Sequence, residues 1–263
     1  QTRIADSVAL QHMNRILELA LSKEKTTEAL TELFDELGSE VRDADIIRWY
    51  GTDANYYYLP EALCVPIIKT LLEEKIETEP AEVINRIEEL MLKHSENSMM
   101  TAVMDYAVIV ARLYEKALTL GSLTLNTADE YVMRYESDYC FIDQYYRLAN
   151  ETYFGIDPTC ELFDAVQKVK RCLDQNYSKL CNRINLEWTR CLKETGGIGE
   201  VHLLRQQNFY DERIKPIQKK VAVIVSDALR YEVAKELIGE LARSKHIASL
   251  KPAIAMLPSE TKY

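Results

Sequence analysis

Two residues near the C-terminal end, Asp227 and Thr261, have the types and the setting for metal-assisted phosphoryl chemistry. Asp227 closes an unbroken apolar run, residues 221–225 (VAVIV), with Ser226 between. Such a run suits a strand covered on both faces, as in a parallel sheet. A helical stretch follows, and then a second apolar run, 253–257, which stops at Pro258-Ser259-Glu260-Thr261. One βαβ unit built this way sets Asp227 and Thr261 side by side on the carboxyl edge of a sheet, where open α/β sheets bind their ligands. There a carboxylate can hold a divalent cation, and a hydroxyl at a helix N-terminus can approach the same ion. The helix start offers N–H groups to a phosphoryl oxygen, and contact with the metal eases the deprotonation that a weak threonine nucleophile needs. Singly, each residue carries little, since an Asp at a strand end often only caps the next helix.

Other features with chemical potential have plainer readings. Gly196-Gly197-Ile198-Gly199 is the only glycine-dense segment, but it follows a helix and lacks the spacing and the Lys-Ser/Thr of a phosphate loop. It reads as a helix stop and a turn. The six cysteines (Cys64, Cys140, Cys160, Cys172, Cys181, Cys191) form no CxxC pair and no Cys/His zinc spacing, and read as reduced small hydrophobes. Tyrosine supplies 16 residues, and Tyr131, Tyr135 and Tyr139 recur every four along one helix face. A stacking platform for single-stranded nucleic acid would take that form. With no Arg or Lys on that face, packing between helices with hydroxyls at the rim is the better reading.

The elements that position these residues are mostly helical. Only 8 Gly and 7 Pro in 263 residues favour long helices and few tight turns. Helices are expected over 4–21, 27–37, 60–74 (with Pro66 kinking or breaking it), 81–93 behind Pro80, and 98–120. The stretch 98–120 is apolar enough for a central, buried helix closed by Gly121. Thr127 with Glu130 makes a capping box for the next, and Pro158-Thr159 opens the longest, 160–193. The expected fold class is mainly α: a multi-helix domain over 1–205, followed over 206–263 by the first βαβ unit of an α/β domain.

Net charge is −10, unevenly spread: from Pro216 onward 8 Lys/Arg face 5 Asp/Glu, leaving 24 against 37 before it. An acidic helical part is a poor broad grip for a phosphate backbone. No apolar stretch approaches the ~18–20 residues that cross a bilayer, and no basic segment leads into an apolar signal core. A soluble, cytoplasmic polypeptide cut from a longer one is the expectation.

The wording of the C-terminal motifs is specific. Val-Ser-Asp-Ala-Leu-Arg-Tyr-Glu (225–232), preceded by Gln207-Asn208-Phe209-Tyr210 and followed by Leu-Pro-Ser-Glu-Thr-Lys-Tyr (257–263), closely resembles the PglZ family. Members of that family are phosphatases of BREX-type phage-defence systems with an alkaline-phosphatase-like catalytic domain. The resemblance covers 209–263; before 205 it rests only on a helical domain preceding the catalytic one. It implies that Asp227 is a metal ligand and Thr261 the nucleophile that also meets the metals, with Ser259 set aside two residues earlier in the turn. It also implies two divalent ions, Zn or Mn, and partners among other BREX proteins, with DNA as a further candidate. Arg230 and Glu232 fit the motif in structural roles, pairing with the sheet edge or neighbouring loops.

One departure qualifies the implied chemistry. Sites of this kind take further Asp and His ligands from later in the domain, while His12, His94, His202 and His246 all precede Thr261. The expectation is a metal-dependent phosphoric ester hydrolase as the full-length parent, with this chain alone inactive. The alternative is a non-catalytic scaffold subunit of the defence complex.

Overall fold

The computed structural model describes residues 61–93, 98–227 and 229–255, with isolated helical positions at 12, 15, 16, 19, 29 and 32. The helices expected over 4–21 and 27–37 lie outside the described residues apart from those positions. The described residues hold seven α-helices: α1 (Glu61–Thr70), α2 (Pro80–Lys93), α3 (Ser98–Leu118), α4 (Ala128–Arg134), α5 (Cys140–Phe154), α6 (Phe163–Thr195) and α7 (Tyr231–Arg243). The mainly helical class read from the sequence is the class observed.

Of the two outcomes expected at Pro66, a kink or a break, the break does not occur. The helix runs through it and continues as a π-helical turn, Leu71–Lys75. Proline removes its own N–H from the ladder; one turn on, the Thr70 hydroxyl makes a separate bond to the Pro66 carbonyl at 2.9 Å. The longest helix also starts three residues later than its sequence suggested. Asp157 accepts from the Thr159 N–H (2.8 Å) and hydroxyl (2.7 Å), and Cys160 N–H bonds back to Asp157 O. That local turn occupies the proposed first residues of the helix. Its far end follows expectation: Gly196 and Gly197 take φ of 94° and 98°, and Gly197 N–H closes on Leu192 O at 2.7 Å. Only glycine enters that region freely.

The chain divides into two compact units, Gln1–Glu115 with Ala149–Leu173, and Lys116–Leu148 with Asp174–Tyr263. In the first, α2 buries Val83, Ile87 and Leu90, the i, i+4, i+7 stripe of an amphipathic helix. The N-terminal part of α3 is buried at Val103, Met104, Tyr106, Ala107 and Val110, as its apolar sequence predicts, although Met99 is exposed. Val166, Val169 and Leu173 of α6 are also buried. Lys168 reaches Glu73 at 2.7 Å and Arg112 reaches Glu88 at 3.0 Å. Such exposed pairs stabilise by well under 1 kcal/mol, roughly, so burial decides this packing.

In the second unit, Thr127 caps α4 by accepting from Glu130 N–H at 3.2 Å. Glu130 returns the contact one residue earlier than a strict capping box, to Asn126 N–H at 2.9 Å. After α4 the helix continues as a π-helical turn, Tyr135–Tyr139, into α5. The core of this unit gathers Leu120, Leu123, Tyr131, Tyr139 and Cys191, with Trp188 and Ile184 against it. The tyrosine stripe is therefore packing. Tyr131 donates to Leu123 O at 2.9 Å and accepts from Leu125 N–H at 3.1 Å. Tyr146 stacks on Tyr177 with ring centres 3.7 Å apart. All six cysteines are free; Cys64, Cys140 and Cys191 are buried, while Cys172 is exposed.

The sheet is small and parallel: β1 (Leu204–Arg205) pairs with β2 (Ala253–Ile254), in register Leu204↔Ala253 and Arg205↔Ile254. The connection between them carries α7, so a strand–helix–strand unit is present. Its first strand is not the expected one. Residues 221–225 are in neither helix nor strand and are exposed, with Ile224 at 91% and Val225 at 89% exposure, and join no sheet among the described residues. An apolar strand needs a covering layer on its faces to repay its ordering. Around 221–225 the described residues provide none, whereas β1 lies next to the buried Val201.

Candidate functional site

Asp227 sits in a turn at the end of that apolar run, three residues before Arg230, the N-cap position of α7, and it is exposed. Thr261 lies outside the described residues, as do Ser259 and the rest of the turn around it. Of the second apolar run, Ala253–Ile254 forms β2, and 256–257 lie outside. The two residues proposed to share a sheet edge are thus half described: Asp227 follows a run that is not in the sheet, and β2 leads toward Thr261.

A two-metal centre needs several oxygen or nitrogen ligands converging on one point. Among the described residues no three His, Cys, Asp or Glu side chains converge in that way. His202 is engaged elsewhere, with Nδ1 2.7 Å from Asp129 Oδ2 and its backbone N–H donating to Asp129 Oδ1 at 2.9 Å. His246 is exposed just beyond α7. Asp227 alone supplies one carboxylate, so the described residues do not by themselves fit a dinuclear site.

The motif helix α7 is well held. Glu232, in its first turn, is buried, and its carboxylate accepts from Arg147 Nε of α5 at 3.2 Å. Arg147 also pairs with Glu236 one helical turn along. On the same stripe, Lys235 donates to Glu136 O at 2.7 Å and lies 4.1 Å from the centre of the Phe141 ring. Tyr231 meets Tyr135 edge-on at 6.0 Å. Positions 231, 232, 235 and 236 fall on one face of a helix, and that face docks α7 on α5 and the turn before it. Glu232 therefore has a structural role, but its partner is a helix arginine and not a sheet edge or loop. The sequence reading missed Arg147 and Lys235. Their signal was a charged stripe inside an otherwise amphipathic helix, which has no address without the tertiary fold.

Asp227 lies three residues before the N-cap position of this clamped helix, outside its first turn.

Residues 209–263 match the family model of the BREX system PglZ alkaline phosphatase-like domain. Among curated proteins, the alkaline phosphatase-like protein BrxZ of Escherichia coli O9:H4 (strain HS) is 47% identical over 64 residues, which cover 22% of this chain and 7% of that protein. The chain therefore aligns with less than a tenth of the relative's length. No solved structure matches. No helix among the described residues is long and apolar enough to cross a membrane. The family read from the motif wording is the family whose model matches: residues 209–263 are similar to the PglZ family's alkaline phosphatase-like domain.

Proposed function

We propose that this chain supplies the helical region and the opening segment of the catalytic domain of a metal-dependent phosphoric ester hydrolase acting in BREX-type phage defence. The observation that carries the reading is the match over 209–263, which contains both Asp227 and Thr261 in their motif settings. In this reading Asp227 is one metal ligand, and Thr261 is the nucleophile that also contacts the metals. Divalent ions, Zn or Mn, would supply Lewis acidity and ease ionisation of the hydroxyl. The remaining ligands must come from residues beyond those described here. The helical region would hold α7, and with it Asp227, and would position partner defence proteins or DNA.

The test is hydrolysis of bis-p-nitrophenyl phosphate by the full-length parent with Zn²⁺ or Mn²⁺. Asp227→Ala and Thr261→Ala should each lower turnover by about a hundredfold or more, the order expected when a metal ligand or nucleophile is removed. A folded, metal-loaded wild type without turnover would overturn the hydrolase reading and favour a scaffold. Defence surviving intact in Thr261→Ala would do the same.

A further inference from the structure

A cavity of about 330 Å³ lies wholly within the second unit, bounded by α4 and the π-helical turn after it, by α6, and by the β1–β2 pair with the residues flanking it. That volume is at the lower end of the range of about 300–1,000 Å³ found for small-molecule sites. Five aromatic side chains contribute to its wall: Tyr131, Tyr135, Tyr139, Trp188 and Tyr231. Tyr131 meets Trp188 edge-on at 5.6 Å, and Tyr135 meets Tyr231 edge-on at 6.0 Å. An edge-on pair covers one ring face of four, whereas a face-to-face pair covers two.

The polar groups at this cavity are few and of one kind. Among the described residues no Lys or Arg lines it, Glu136 is the only carboxylate in its lining, and Asn185 contributes an amide. The Tyr231 phenol is pushed up by burial and then by the Glu136 charge, which places that carboxylate close to the aromatic wall. The hydroxyls of Tyr131 and Tyr135 are committed, to Leu123 O and to Asp143 Oδ2 (2.7 Å). The Tyr139 hydroxyl is not. Tyr139 is 4% exposed, and its hydroxyl has no hydrogen-bond partner among the described residues. A buried hydroxyl left unmatched is unfavourable, and the Tyr139 side chain is part of the cavity wall.

We propose that this cavity binds a neutral, planar, nitrogen-bearing aromatic ring that carries N–H donors, a nucleobase being the commonest such group. The aromatic wall gives stacking surface, which every base can use. The Glu136 carboxylate accepts from a ring or exocyclic N–H, and Asn185 and Tyr139 complete the edge contacts. With a carboxylate and no cation in the lining, a phosphate is excluded from the interior, so a nucleotide enters base first. Such a base can come from a free nucleoside or from a single strand. Because Tyr231, Pro252 and β2 line the cavity together with α4 and α6, occupancy also braces the family segment on its helical support. The inference stands apart from the hydrolase reading, since it invokes neither Asp227 nor Thr261.

The test uses this chain with Trp49→Phe, which leaves Trp188 as the sole tryptophan. Guanosine, adenosine and cytidine, a short single-stranded DNA, and benzene are titrated by tryptophan quenching and calorimetry. The expected result is saturable binding of at least one nucleoside or of the strand, with a raised melting temperature. Tyr139→Phe should weaken it about five- to tenfold, as loss of one hydrogen bond predicts. Ile184→Trp, which fills the cavity, should abolish it, and Glu136→Gln should weaken the base with the most N–H donors most. Binding by nucleosides alone assigns a free ligand; tighter, salt-dependent binding by the strand assigns nucleic acid. No saturable binding by any base in a folded chain would overturn the site. So would benzene binding as well as the bases with no effect of Tyr139→Phe.

Discussion

At the residue scale, the ion pairs differ in what they can do. His202 is exposed and Asp129 half-buried, and their contact joins the segment after α6 to the first turn of α4. The hydrogen bond from the protonated ring raises the His202 pKa above 6.5 and lowers that of Asp129 below 3.8. A raised histidine stabilises the fold fully below its ordinary value, and the stabilisation is lost as pH rises through the raised one. On the acid side, the Asp129 contribution is present above its ordinary value and fades as pH falls through the lowered one. An NMR titration should place the His202 midpoint above the ordinary histidine value, and Asp129→Asn should return it there. A wild-type midpoint at or below the ordinary value would show that the pair does not form in solution. Asp227 belongs to the same scale: its type and place were legible in the sequence, because a carboxylate ending an apolar run is a local pattern. Its ligand set is not local, and no inspection of neighbouring positions supplies it.

At the scale of elements, α7 is held by charge as much as by apolar burial. The Glu232 carboxylate is 1% exposed and Arg147 35% exposed. Removing one partner of a buried pair costs about 3–5 kcal/mol, because the other is left charged and unmatched. With Arg147 a third exposed, water can partly replace it, and Arg147→Ala should cost about 2–3 kcal/mol. Adding Glu232→Leu should recover much of that loss, since no buried charge then remains. Urea unfolding measures both, and an Arg147→Ala variant as stable as wild type would show that the pair does not hold the helix. The element boundaries illustrate what the sequence encodes locally. The α4 cap and the Gly196-Gly197 stop were readable because side chains and positive φ act within one turn. The start of α6 was misplaced because Asp157 offered its backbone neighbours a competing turn. At Pro66 the sequence left a kink or a break open, and the helix continues through it without a break.

At the scale of the whole molecule, the distribution of apolar surface is the main finding. Val221, Val223, Ile224, Val225, Ile217 and Leu229 are all exposed, within a stretch that has no helix or strand between Ile214 and Tyr231. Exposed, irregular backbone with apolar side chains is what thermolysin cuts first. Thermolysin should therefore cleave this chain first within 217–229, ahead of the buried helix α3. In the full-length parent the same stretch should be protected if it forms a covered strand there. Prolonged resistance of 217–229 in this chain would mean that the run is already buried.

The sequence by itself determined the mainly helical class, the stops and caps, and the family that residues 209–263 resemble. Each of these rests on interactions within a few residues or on a contiguous motif. Only the tertiary structure decided that β2 pairs with Leu204–Arg205 and not with 221–225, that Glu232 answers to Arg147, and that five aromatic rings enclose a cavity with one uncommitted hydroxyl. Those outcomes depend on which surfaces from distant parts of the chain can exclude water together, and strand pairing, ion-pair partners and cavities follow from that competition and not from local propensity.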